Sequence, residues 1–283
     1  MDKGIKIIEC PRDAMQGLEW FVPTQTKVEY INALLQVGYH TLDCGSFVSP
    51  KAIPQMRDTR DVLDSIEESE TRLSVIVANK RGIQDAIKHE RVDYLGFPFS
   101  VSETFQQRNT NSSILDSMEV VKYLIDESEK NDKQVVIYIS MGFGNNYGDE
   151  WSPNIVEDWV GKIANLGVAS FSISDTVGVS NTESVSSVFK LLNASFTTPE
   201  FGAHFHTRPT DWEEKVDAAW RNGCRRFDGA IKGFGGCPMA EDDLVGNMPT
   251  ENLIAYLERQ TVDHGLNLKQ FNKAMLLANT IFE

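Results

Sequence analysis

The sequence predicts an α/β fold, a single (β/α)8 or TIM barrel with an extra C-terminal helix, and three observations lead there. Short runs of β-branched and apolar residues recur along the 283-residue chain, each followed by a longer stretch of helical periodicity. Eight such runs can be counted, which is the number that closes a barrel of parallel strands. No linker, low-complexity segment or charge block divides them, so residues 1–283 are expected to form one catalytic domain. An open doubly wound sheet is the alternative, but it has no reason to stop at eight equal units.

Taken in order, the first strand covers 6–10 and runs into Pro11-Arg12-Asp13-Ala14-Met15-Gln16. A helix begins near Thr24-Gln25-Thr26 and its apolar period ends at Gly38, a residue suited to a helix C-terminus. The second strand, 41–47, carries Asp43 and leads into Ser46-Phe47-Val48-Ser49-Pro50. Strands at 73–78 and 94–100 follow, then 135–141 with Ser140 near its end. Ser152-Pro153 opens the next helix, which closes at Gly167. The sixth strand, 171–175, ends at Asp175, the seventh, 201–206, ends in His204-Phe205-His206, and the eighth, 226–230, leads into the Gly-rich segment 233–238 and then Gly246-Asn247. The amphipathic stretch 268–282 is the extra helix.

Lys plus Arg total 27 against 41 Asp plus Glu, a net charge of −14, which argues against nucleic-acid or anionic-membrane partners. An anionic substrate must then meet a local positive site. No stretch reads as a signal peptide or a membrane span, so a cytoplasmic protein is expected. The four cysteines, Cys10, Cys44, Cys224 and Cys237, have no CxxC spacing and are expected to be free thiols.

Barrel active sites gather at the C-terminal ends of the strands. His204 and His206 sit at i and i+2 on one strand, which points both imidazoles to the same side and lets them reach one metal. A hydrogen-bonded pair of strand histidines would look the same in isolation. Asp13 at another strand end adds an oxygen ligand, and the mixed set suits Mg²⁺ or Mn²⁺, with Zn²⁺ as an alternative. Arg12 could be a surface ion pair with Asp13, or a guanidinium fixed near the metal to stabilise an enolate. Gln16, Asp43, Ser46, Ser140 and Asp175 lie at strand ends and are expected to bind substrate. Gly233 to Gly236 lacks the context of a dinucleotide loop and reads as a lid carrying Cys237, which is either inert packing or reactive.

Together, Pro11-Arg12-Asp13-x-x-Gln16, Ser46-Phe47-Val48-Ser49-Pro50-Lys51 with Pro54-Gln55-Met56, Asp175-Thr176-x-Gly178, His204-x-His206 and Gly235-Gly236-Cys237-Pro238 with Gly246-Asn247 resemble the 3-hydroxy-3-methylglutaryl-CoA lyase family. The resemblance runs in order over essentially the whole chain. It implies metal ligands at Asp13, His204, His206 and Asn247, an enolate-stabilising Arg12, proton transfer through Asp13 or His204, and a catalytic lid cysteine at Cys237. It further implies cleavage of 3-hydroxy-3-methylglutaryl-CoA to acetoacetate and acetyl-CoA, and a homodimer. The family's Asn-Glu-Lys after the first motif is Gly17-Leu18-Glu19 here, its strand-two Glu is Asp43, and the Asp after the HxH motif is Thr207. A related metal-dependent aldolase or Claisen-type synthase is the second reading and a non-catalytic barrel the third. No accessory domain of the kind synthases carry is expected after Glu283, which favours the lyase or aldolase direction, and the intact polar set speaks against a barrel without catalysis.

Overall fold

The computed structural model describes residues 4–236 and 245–282. Eight strands close on themselves in chain order: β1 (Lys6–Glu9), β2 (Thr41–Ser46), β3 (Arg72–Ile76), β4 (Val92–Ser100), β5 (Gln134–Ser140), β6 (Ser170–Asp175), β7 (Glu200–Thr207) and β8 (Arg226–Gly229). Each pairs in parallel with its neighbours, and the β1–β8 ladder, with Lys6 opposite Arg226, completes the barrel. The expected (β/α)8 barrel is therefore the fold.

The surrounding helices are α1 (Pro11–Gln16), α2 (Thr24–Leu35), α3 (Thr59–Ser65), α4 (Lys80–Ala86), α5 (Glu103–Thr110), α6 (Ile114–Lys130), α7 (Pro153–Ala164), α8 (Thr182–Ser195), α9 (Trp212–Arg221), α10 (Thr250–Arg259) and α11 (Leu268–Phe282). Their starts follow ordinary capping chemistry. Ser152 accepts a hydrogen bond from the Ile155 N–H with Pro153 at the first helical position, and Asn181 forms a capping box with Ser184. The C-terminal helix α11 packs on α2, with Phe282 set edge-on to Tyr30.

The main apolar core lies between the barrel wall and this helical ring, where the outward residues of the strands, such as Leu42, Val75, Leu95, Ile137 and Ile173, are fully or nearly fully buried. Inside the barrel a separate small cluster, Ile76, Tyr94, Val136 and Tyr138, leaves the rest of the axis to polar side chains. That polar axis positions the site.

Two local features add to the reading of the sequence. The segment after β1, to which the sequence assigns no element, is the six-residue helix α1, started by Pro11, whose fixed φ suits a first helical turn. A ninth strand, β9 (Gly246–Asn247), pairs antiparallel with the end of β7 and puts Asn247 opposite His206.

Candidate active site

The short helix α1 carries three site residues at once, because positions i, i+1 and i+4 fall on adjoining faces of one turn. Arg12 is buried, its Nε 3.1 Å from Asp43 Oδ2, its Nη2 bonded to the same carboxylate and its Nη1 shared between Asp13 and Gln16, 3.0 Å from the latter's Oε1. Four of its five N–H donors are thus engaged by described residues. Burial would lower the guanidinium's pKa, but Asp43 and Asp13 outweigh it and keep Arg12 charged. Asp43 is itself wholly buried behind Arg12, and desolvation pushes it above the usual carboxylate range despite that partner.

Asp13 sits at the centre. Gln16 Nε2 donates to its Oδ1 at 2.6 Å, Asn247 Nδ2 donates to its Oδ2 at 2.7 Å, and His204 Nε2 stands 4.0 Å from Oδ2. Burial alone would raise the carboxyl, but Arg12, the two histidines and Asn247 hold it down at about 2, so it is ionised at neutral pH. The expected pairing of His204 and His206 on one side of β7 is seen directly, with ring centroids 5.4 Å apart. His206 Nδ1 lies 2.8 Å from the Thr176 carbonyl, which assigns the proton to Nδ1. Its Nε2 is buried and has no hydrogen-bond partner among the described residues. Desolvation, with His204 next, lowers the basicity of His206 and keeps it neutral.

His204 Nδ1 lies 3.2 Å from Asp228 Oδ2, and Asp228 is held in turn by the Ser172 hydroxyl at 2.9 Å. Burial lowers the basicity of His204, but Asp228 overrides it and the net direction is upward. A carboxylate behind a histidine fixes the tautomer that presents the opposite nitrogen. Asp228 was not singled out in the sequence, although its i+2 spacing from Arg226 on a strand marks an inward polar pair.

The donor set fits a divalent cation. One ligand atom from each of Asp13, His204 and His206 lies within 4.8 Å of the others, and the orphaned Nε2 of His206 is a buried acceptor directed into that group. A second trio of Cys10, His204 and Asp228 meets the same distance test. It is the poorer fit, because Nδ1 of His204 is already engaged by Asp228 and burial pushes the Cys10 thiol far above its ordinary pKa.

Arg12, Asp13, Gln16, Ser140, His204 and His206 line one cavity at the C-terminal mouth of the barrel. Its lining also has an apolar part, with Val48, Ala52, Ile53, Ile76 and Pro98. Asp43, Ser46 and Asp175, also expected to bind substrate, are not among the residues lining this cavity, Asp43 being taken up by Arg12. The Ser46 hydroxyl accepts from the Val48 N–H at 3.2 Å, and the Asp175 carboxylate accepts from the Val179 N–H at 2.9 Å, from Ser180 and from Lys215 Nζ at 3.0 Å. Asp175 is thus the anchor of the turn after β6. Lys215, wholly buried on α9, also donates to the His206 carbonyl at 3.1 Å and ties that turn to the end of β7. Cys237 lies outside the described residues. The glycine segment before it does have a visible requirement: at Gly235, with φ of +94°, a Cβ would come within 2.6 Å of the Asp13 carbonyl oxygen and 2.7 Å of Asn247 Nδ2. Only a glycine lets the chain lie this close over Asp13.

Comparison with known proteins shows what the chain is similar to. A hydroxymethylglutaryl-CoA lyase of Bacillus subtilis is 31% identical over 266 residues, covering 93% of this chain and 88% of its own. The cytoplasmic 3-hydroxy-3-methylglutaryl-CoA lyase of Rattus norvegicus is 30% identical, covering 95% and 79%. Among solved structures, the HMG-CoA lyase of Brucella melitensis superposes with a TM-score of 0.91 at 28% identity, covering 98% of each chain. An HMG-CoA lyase of Acinetobacter baumannii, solved with coenzyme A and 3-methylmalate, gives 0.92 at 26%, covering 99% and 91%. The family model described as HMGL-like matches residues 5–277. With a match of that extent, and with relatives about 30% identical over most of the chain, the chain belongs to the HMGL-like family and is a carbon–carbon lyase.

Proposed function

We propose that the protein cleaves 3-hydroxy-3-methylglutaryl-CoA, or a closely related hydroxyacyl-CoA, into a keto acid and acetyl-CoA. The observation that carries this reading is the convergence of Asp13, His204 and His206 within 4.8 Å beside a buried, fully charged Arg12. The coenzyme A bound in the Acinetobacter baumannii enzyme supports an acyl-CoA as the substrate class.

Asp13, His204, His206 and Asn247 would hold a divalent ion, Mg²⁺ or Mn²⁺ by the mixed nitrogen and oxygen set. When bound, it supplies Lewis acidity that makes a tertiary hydroxyl easier to deprotonate. Asp13, ionised at neutral pH, or His204 would take that hydroxyl proton. As the carbon–carbon bond breaks, negative charge collects on the thioester oxygen. Arg12 is preorganised for it, because Asp43 and Gln16 fix the guanidinium before substrate arrives. The apolar lining of Val48, Ile53, Ile76 and Pro98 excludes water from the enolate until it is protonated. We assign that last proton to the segment carrying Cys237.

Incubation of the metal-loaded protein with 3-hydroxy-3-methylglutaryl-CoA and a panel of related hydroxyacyl-CoA and hydroxy-acid substrates, read by mass spectrometry, tests the proposal. Acetyl-CoA from the first substrate is expected. Arg12→Gln should lower turnover by on the order of 10²-fold while metal binding persists, since it removes a charge that acts mainly in the transition state. Cleavage of a free hydroxy acid with no turnover of any acyl-CoA would favour the aldolase reading instead.

A further inference from the structure

A second hollow lies at the opposite end of the barrel from Asp13, a cavity of about 700 Å³ at the N-terminal mouth. Barrel floors are ordinarily filled by side chains that serve stability. This one is open and ringed by cations: Lys6 at the start of β1, Arg72 at the start of β3, Arg226 at the start of β8 and Lys133 just before β5. Glu129 and Glu200 are the acids in its lining. In a chain of net charge −14, four cations against two acids in one cavity is a local reversal of sign.

The cations are not all neutralised. Lys6 Nζ lies 2.9 Å from Glu200, but among the described residues Arg72 Nη1 donates, at 2.7 Å, to a neutral group, the Tyr94 hydroxyl. Arg226 is 4% exposed and ion-paired with Asp228 Oδ1 at 3.5 Å, yet its buried Nη1 has no hydrogen-bond partner among the described residues. Strand β7 is notched to admit this guanidinium, for a Cβ at Gly202 would stand 2.9 Å from Nη1. His40 in the same cavity registers the field: burial, then Lys6, Arg72 and Arg226, lower its pKa to about 4 and keep it neutral. A single carboxylate would be satisfied by one guanidinium fork, whereas several converging cations suit the higher charge and three acceptor oxygens of a phosphate.

We propose that the N-terminal mouth of the barrel binds a phosphate group, free or borne on a small monoester, held by Arg72 and Lys6 with Arg226 beneath. The site is separate from the catalytic cavity and does not depend on the substrate assigned to it. Arg226 nevertheless connects the two, because Asp228, its ion-pair partner, is also the partner of His204.

The test is calorimetric titration of the full chain with inorganic phosphate and, separately, with glycerol 3-phosphate, at constant ionic strength and without acyl-CoA. Saturable binding of at least one probe is expected, weakened about tenfold or more in Arg72→Gln and further in the Lys6→Gln/Arg72→Gln double variant. Arg72 is exposed, so the single variant should fold even if the double one does not. Tighter binding of glycerol 3-phosphate would identify a phosphomonoester as the ligand, and equal affinities would identify the free ion; both support the site. Absence of saturable binding with both probes, or unchanged affinity in Arg72→Gln, would overturn it, the latter by placing the phosphate elsewhere on the molecule.

Discussion

A histidine can ligate a metal only through the nitrogen its hydrogen bonds leave free, so the partners at Nδ1 decide what His204 and His206 offer to Asp13. For His206 that partner is the Thr176 carbonyl, and for His204 it is the Asp228 carboxylate. Asp228→Asn keeps the volume and removes the charge behind the ring. Metal affinity is expected to fall by roughly 10- to 100-fold with the fold retained, as measured by titration of the apoprotein with Mn²⁺. Unchanged affinity would mean that Asp228 serves the barrel floor alone. Glu19 is the other residue whose chemistry is its own matter. It is exposed on the segment after α1, at the position where the resemblance leads one to expect a cation. If it meets the phosphates of an acyl-CoA it weakens their binding by roughly 1 kcal/mol, the scale of two like charges about 4 Å apart in water. Glu19→Lys should then lower KM for 3-hydroxy-3-methylglutaryl-CoA with little change in kcat, because the contact is with the handle and not the reacting carbon. Steady-state kinetics that do not move on any acyl-CoA would show that this position never meets substrate.

The ends of several elements are tied together by one buried acid at the close of β1. Glu9 is fully buried and accepts from the Ile231 N–H after β8 at 2.8 Å and from the Thr250 hydroxyl at the start of α10 at 2.6 Å. It therefore clamps both sides of the Gly-rich segment to the first strand. Desolvation, opposed by those hydrogen bonds, raises its pKa to about 8. Below the unfolded value of 4.5 the group is protonated in both states and carries no penalty. Between there and about 8 the unfolded chain releases the proton while the folded chain keeps it, so stability falls as pH rises, by up to a few kcal/mol. Glu9→Gln is neutral throughout and should remove that decline. Urea melts of both proteins from pH 5 to 8 should diverge in this sense; parallel profiles would show that Glu9 ionises in the folded state as it does in the unfolded one.

At the scale of the whole molecule, the barrel is an acidic body with cationic groups gathered at both mouths of one polar axis: Arg12 at the C-terminal end and Lys6, Arg72 and Arg226 at the other, linked through Asp228 to His204. The sequence by itself determined the eight-strand count, the parallel crossovers and the polar strand ends, because period-2 and period-3.6 patterns are local and survive without coordinates. It also determined the HxH pair, since two residues of one strand carry their relation with them. Only the tertiary structure decided that the residues after β1 form a helix bringing Arg12, Asp13 and Gln16 to one cavity, that β9 lays Asn247 opposite His206, and that Asp228 stands behind His204. It likewise decided that Ser46 and Asp175, polar and at strand ends like the rest, serve their own turns instead of the cavity. The physical reason is the same in each case. These relations join residues up to 234 positions apart in the chain, as Asp13 and Asn247 are, and depend on which neighbour satisfies each buried polar atom, a competition settled only when all the elements are packed.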